Sequence, residues 1–192
     1  MADNTSQQSN DTVRSLDRSG VKTQVFQHDI AQSGASELLG LGFPKTVNVA
    51  SGGLTTATTA YTAGDVLGNE FTFTVARASG RGAVITSAVL IDKAKVVGAV
   101  DLYLFDRAST PAADNAANSW ADSDMANALG RIGFEAPVAS ALNGLGMAVA
   151  GLPLVVLGNS STDIKGVLVT RVGHTFFGAT SDLVVILGVE QF

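Results

Sequence analysis

From Thr46 onward the chain is written in short runs of β-branched and aromatic residues, each closed by Gly, Asn, Asp or Ser, and such a pattern leaves room for little besides antiparallel strands. In Phe71, Thr72, Phe73, Thr74 and Val75 the apolar side chains all fall on one face, as in a strand with one wet side. Between Val84 and Ile91 both alternating sets are largely apolar, so this strand is expected at the centre of a sheet. The pattern predicts strands over residues 46–50, 54–61, 66–75, 83–92, 100–106, 146–157, 166–172 and 183–190. One short helix is expected after Ser119, which can cap it. Asp122 and Asp124 would occupy its positive first turn, Met125, Ala128 and Leu129 follow at helical spacing, and Gly130 ends it. The fold class expected is all-β: an antiparallel, jelly-roll-like β-sandwich with one short helix and an extended N-terminal arm.

Composition divides the chain near Pro44 into an arm, residues 1–44, and a β domain, residues 45–192. Residues 1–24 carry almost no large apolar side chain, too little burial to offset the entropy of ordering, so this part alone is expected to be disordered. Residues 25–43 differ. Val25, Phe26, Ile30, Leu38, Leu39 and Phe43 can be buried against a partner, and Ser36 can cap a short helical turn ended by Gly40 and Gly42. Fully extended, the chain before Pro44 reaches roughly 140 Å, far more than a linker to one domain needs.

With 192 residues the chain is long enough to fold on packing alone, and its lack of Cys removes disulfides, thiolate zinc sites and cysteine nucleophiles together. Twelve basic against seventeen acidic side chains give a net charge of -5, the wrong sign for neutralising phosphates, so nucleic acid is not an expected partner. The polar N-terminus lacks the apolar stretch of a secretory signal, which suggests a protein made and kept in a cytoplasm. Residues 136–162 carry no charge, but Pro137, Pro153, Asn143 and four glycines interrupt them, so they read as two buried strands joined by a glycine-rich turn rather than as a membrane span.

Candidates for catalysis are few. His28 lies in the arm, and His174 lacks a serine in a Gly-x-Ser-x-Gly elbow, so it is read as a surface or subunit-contact histidine. Asp114, Asp122 and Asp124 lack the spacing of a calcium loop, and helix capping accounts for the last two. Asp65, Glu70, Asp92, Asp101 and Asp106 fall at strand ends, where Asp serves turns; a glycosidase pair among them would be expected to bring more aromatic sugar platforms than Trp120, Tyr61 and Tyr103. Residues 78–82 (ASGRG) read as a hairpin turn, not a phosphate loop. No catalytic residue, cofactor or metal ligand is therefore assigned. Trp120 either packs its helix or anchors a contact with another chain.

Four segments carry a resemblance: residues 61–68 (YTAGDVLG), 85–93 (ITSAVLIDK), 102–106 (LYLFD) and 111–132 (PAADNAANSWADSDMANALGRI). They resemble structural proteins of tailed bacteriophages, and the resemblance implies a virion component of the head decoration, or cement, kind. It implies a noncatalytic protein made in the host cytoplasm, with the major capsid protein as partner on the outer head surface. A homotrimer would match local threefold positions on such a lattice. The anchors expected at partner contacts are Val25, Phe26, Ile30, Leu38, Leu39, Phe43 and Trp120. The alternative is a tail or receptor-binding module in which residues 115–120 recognise a host glycan. A mean hydropathy of +0.29 fits apolar surface covered by neighbouring subunits, or simply a large core.

Overall fold

A computed structural model describes residues 11–18, 21–28, 45–51, 54–148, 154–156, 161–175 and 177–191. The chain divides into two compact units, Met1–Phe43 and Pro44–Phe192.

In the first unit β1 (Asp11–Arg18) and β2 (Val21–His28) pair antiparallel, from Asp11 opposite His28 to Arg18 opposite Val21. The pairing takes in residues 11–18 and 21–24 of the part expected to be disordered, and residues 1–10 lie outside the described residues. Val21, Thr23 and Val25 place a β-branched residue at every second position. A ladder of backbone hydrogen bonds needs no large side chain, which a count of apolar residues does not register. Val25 and Phe26 lie in β2, whereas Ile30, Leu38, Leu39, Phe43 and the turn expected at Ser36 lie outside the described residues.

The second unit is an antiparallel β-sandwich. Its larger sheet has the order β3 (Lys45–Ala50), β12 (Leu183–Gln191), β5 (Ala83–Asp92), β9 (Gly144–Ala148), β8 (Val138–Ala139), with β10 (Leu154–Val156) also on β5. The smaller has the order β4 (Val66–Thr74), β11 (Asp163–Thr170), β6 (Val100–Phe105), β7 (Ala128–Phe134). Alternation makes the core between them. Phe71 and Phe73 of β4, Leu102 and Leu104 of β6 and Ile164 and Leu168 of β11 meet Ile85 and Leu90 of β5 and Val185, Leu187 and Val189 of β12, all buried. β5 is central, as its two apolar faces required, between β12 on one side and β9 and β10 on the other.

Four elements depart from the sequence reading. Residues 54–61 form no strand beyond a bridge from Tyr61 to His174. Their threonine-rich run looks like a strand, but side chains take its donors: Asn69 Oδ1 accepts from Thr55 N at 2.8 Å and Tyr61 Oη from Ala57 N at 2.7 Å. The single strand expected over residues 146–157 is instead β9 and β10, placed end to end along β5. The helix α1 is one turn, Asp122–Met125, with Ala121 at its N-cap and no capping side chain, so Ser119 does not cap it. Ala128, Leu129 and Gly130 leave the helical register because β7 pairs with β6 from Phe105 opposite Ala128 to Val100 opposite Phe134, and this sheet pairing overrides the local spacing. The uncharged stretch is also not wholly buried: Val138, Leu142 and Leu145 are 78%, 81% and 48% exposed on the β8–β9 hairpin.

Candidate functional site

The connection from β6 to α1, residues 106–121, forms a strap over the outer face of the smaller sheet. That face carries Val66, Phe105, Val167 and Val169, all buried, with Tyr103, Ala112 and Trp120 packed against them. Alternation explains the set, because these positions point away from the sandwich core and would otherwise face water. Trp120 lies on Phe105 at a ring-centroid distance of 5.0 Å and on Tyr103 at 5.8 Å. It therefore packs against the sheet's outer face and stays partly exposed.

Backbone and carboxylate bonds fix the strap. Asn115 N donates to Val66 O and Val66 N to Ala116 O, each at 2.9 Å, while Asn118 N reaches Gly64 O at 2.8 Å. Asp114 is the hub: its Oδ1 accepts from Gly68 N at 2.6 Å and from Tyr61 Oη at 2.7 Å. Burial first, and then Asp114 beside it, raise the Tyr61 phenol well above its ordinary range, so it stays a donor. Gly68 is at φ +79° with the Thr55 carbonyl where a Cβ would stand, a position only glycine can fill. At the strap's ends, Glu70 Oε2 accepts from Ser109 N and Oγ at 2.6 and 2.7 Å, and Asp124 Oδ2 from Thr110 Oγ1 at 2.6 Å. Sequence reasoning did not find this hub. Tyr61 and Asp114 lie 53 positions apart, and nothing local joins them.

The remaining strand-end carboxylates each hold backbone or a guanidinium. Asp92, fully buried, accepts Ala94 N at Oδ1 and Val96 N and Val97 N at Oδ2, at 2.6 to 2.9 Å. Asp65 Oδ2 accepts from Thr62 N and Oγ1. Asp101 lies between Arg131 Nη1 at 2.9 Å and Arg171 Nε at 3.4 Å, and Arg171 also reaches Glu135 at 3.0 Å. These groups serve turns and strand edges, and the structure brings no two of them together across a cleft that it describes.

His174 is buried, not at the surface. Its Nδ1 accepts from Gly98 N at 3.0 Å, which leaves the proton of the neutral ring on Nε2, an atom buried without a protein partner. Tyr61 lies beside it with ring centroids 6.1 Å apart. Desolvation lowers its pKa, against the opposing pull of Asp92 and Asp65. The ring ties the β5–β6 loop to the segment after β11.

Among the described residues no group of three or more His, Asp or Glu is placed to hold a metal ion, and no helix is long and apolar enough to cross a membrane. Compared with protein-family models, curated proteins and solved structures, the chain matches none of them.

Proposed function

We propose that the protein is a noncatalytic component of a tailed-bacteriophage virion, a decoration or cement protein that binds the major capsid protein on the outer head surface and associates with further copies of itself. The observation that carries the reading is where the resembling segments lie. Three of the four, residues 61–68, 102–106 and 111–132, meet at the strap, through Tyr61 on Asp114, Val66 on Ala116 and Phe105 on Trp120. That three of the segments read as resembling phage structural proteins pack together supports the reading. A rigid sandwich joined to a separate N-terminal unit also suits a protein that must sit on a repeated lattice and engage it through a leader.

A glycan-binding tail module would use residues 115–120. There Asn115 Nδ2 donates to Thr59 Oγ1 at 2.9 Å and Trp120 lies on Phe105, so both side chains are engaged in the fold.

The test is co-sedimentation with empty heads that lack the protein, using the full chain and a version beginning at Pro44, which keeps β3 whole. Saturable binding by the full chain and its loss in the shorter one are expected. Absence of head binding together with retention on host envelopes would transfer the protein to the tail.

A further inference from the structure

The smaller sheet ends at β7, which among the described residues pairs with β6 alone. The direction of its backbone groups follows from β6. Arg171 N donates to Ala99 O, so in the same register the N–H and C=O groups of Asp101 and Tyr103 turn toward β11, and those of Val100, Leu102 and Leu104 toward β7. Phe134, Ile132 and Gly130 stand opposite these three and complete the ladder. The backbone groups of Arg131 and Gly133 therefore point away from the sheet, and no described residue bonds them.

The outer face beside this edge is charged. Arg131 and Gly133 share it with Asp101, and Arg171, just beyond β11, reaches the same place by donating to Phe134 O. Gly133 is exposed, and a Cβ there would stand 3.3 Å from Asp101 Oδ1 and 3.8 Å from Arg171 Nη2. It forms the floor of a notch flanked by the two guanidiniums, with Asp101 buried behind it. One carboxylate does not use up the donors of two guanidiniums. The Arg131 side chain is 59% exposed, and Glu135, 87% exposed, makes only a solvent-weakened pair with Arg171.

We infer that the β7 edge binds an extended acidic segment of a partner protein, which adds to the smaller sheet as a further strand. In an antiparallel addition the residues opposite Arg131 and Gly133 exchange main-chain bonds with them and set their side chains on the same outer face. An Asp or Glu opposite Gly133 enters the notch, where two guanidiniums meet its carboxylate; a lysine there is repelled by both. The open backbone supplies affinity for any extended chain, and the arginines select its charge. This site goes beyond head decoration and does not depend on it.

The test titrates the full chain into three short fluorescein-labelled peptides and reads fluorescence polarisation. One alternates Val and Glu, the second alternates Val and Lys, and the third is the Val–Glu peptide methylated at every Glu nitrogen, which removes the main-chain donors that would face β7. The net charge of -5 favours the lysine peptide, so a preference for glutamate runs against unspecific attraction. Saturable binding of the Val–Glu peptide is expected, about tenfold or more tighter than of either other peptide and weakened by salt. Arg131→Gln should weaken it about tenfold with an unchanged circular dichroism spectrum, since this side chain stands largely in water. The three peptides are compared on the wild type, so they decide the matter should the variant fail to fold. No saturable binding of the Val–Glu peptide up to about 1 mM, equal or tighter binding of the lysine or methylated peptide, or a folded Arg131→Gln that binds as the wild type does, overturns the inference.

Discussion

At the scale of single residues, His174 shows how one buried ring makes the fold sensitive to pH. Its Nδ1 can accept from Gly98 N only while deprotonated; a proton there would set one donor against another. The folded pKa is lowered from an ordinary value of 6.5, so the unfolded chain takes up the proton first. The stabilisation is therefore complete above the unfolded pKa and declines as pH falls below it. Asp92 and Asp65, the charged groups that act on the ring, weaken the effect without reversing its sign. In His174→Asn, Oδ1 can accept from Gly98 N and nothing titrates. Thermal unfolding followed between pH 7.5 and pH 5 should show a midpoint that falls more steeply for the wild type than for this variant. Parallel profiles would remove His174 from the pH response.

At the scale of elements, the connections are held by carboxylates more than by caps. Asp92 closes β5 and organises the turn to β6 by accepting three backbone N–H groups within five residues, that of Val97 buried and those of Ala94 and Val96 half-buried. Asp92→Ala leaves those donors without their acceptor and should cost about 3 kcal/mol or more in urea unfolding, with Asp92→Asn intermediate because one amide oxygen remains. A loss below about 1 kcal/mol would mean that water replaces the carboxylate. The same elements show what a sequence can disclose. β4, β5, β6, β11 and β12 were legible because burial of one face or both imposes a period of two on Phe71 and Phe73, on Ile85 to Ile91 and on Leu183 to Val189. β7 was not. Its residues ALGRIGF have a helical spacing at Ala128 and Leu129, and only the long-range pairing with β6 makes them a strand. The strap was illegible for the same reason, since Asp114 acquires its role only when Tyr61 and Gly68 arrive from far along the chain.

At the scale of the whole molecule, the position of the last strand decides which part of the chain is needed for folding. β12 lies between β3 and β5, with Gln191 opposite Lys45, so the first and last strands of the second unit close on each other. Among the described residues, both hydrophobic clusters draw on Val47 to Val189, all within that unit. A domain of this size buries roughly 70% of the surface its unfolded chain exposes, enough for stability on its own. Residues 44–192 should therefore unfold in one cooperative calorimetric transition with a midpoint within about 4 °C of the full chain, a difference of about 1 to 2 kcal/mol at this length. A chain ending at Asp182 should show no such transition, because it lacks Leu183, Val185, Leu187 and Val189 together and leaves β3 without its neighbour. A broad, noncooperative transition in residues 44–192 would sink the assignment of an independent core. It would also deprive the head-binding comparison of its meaning, since that comparison requires the shorter protein to lose its leader and nothing else.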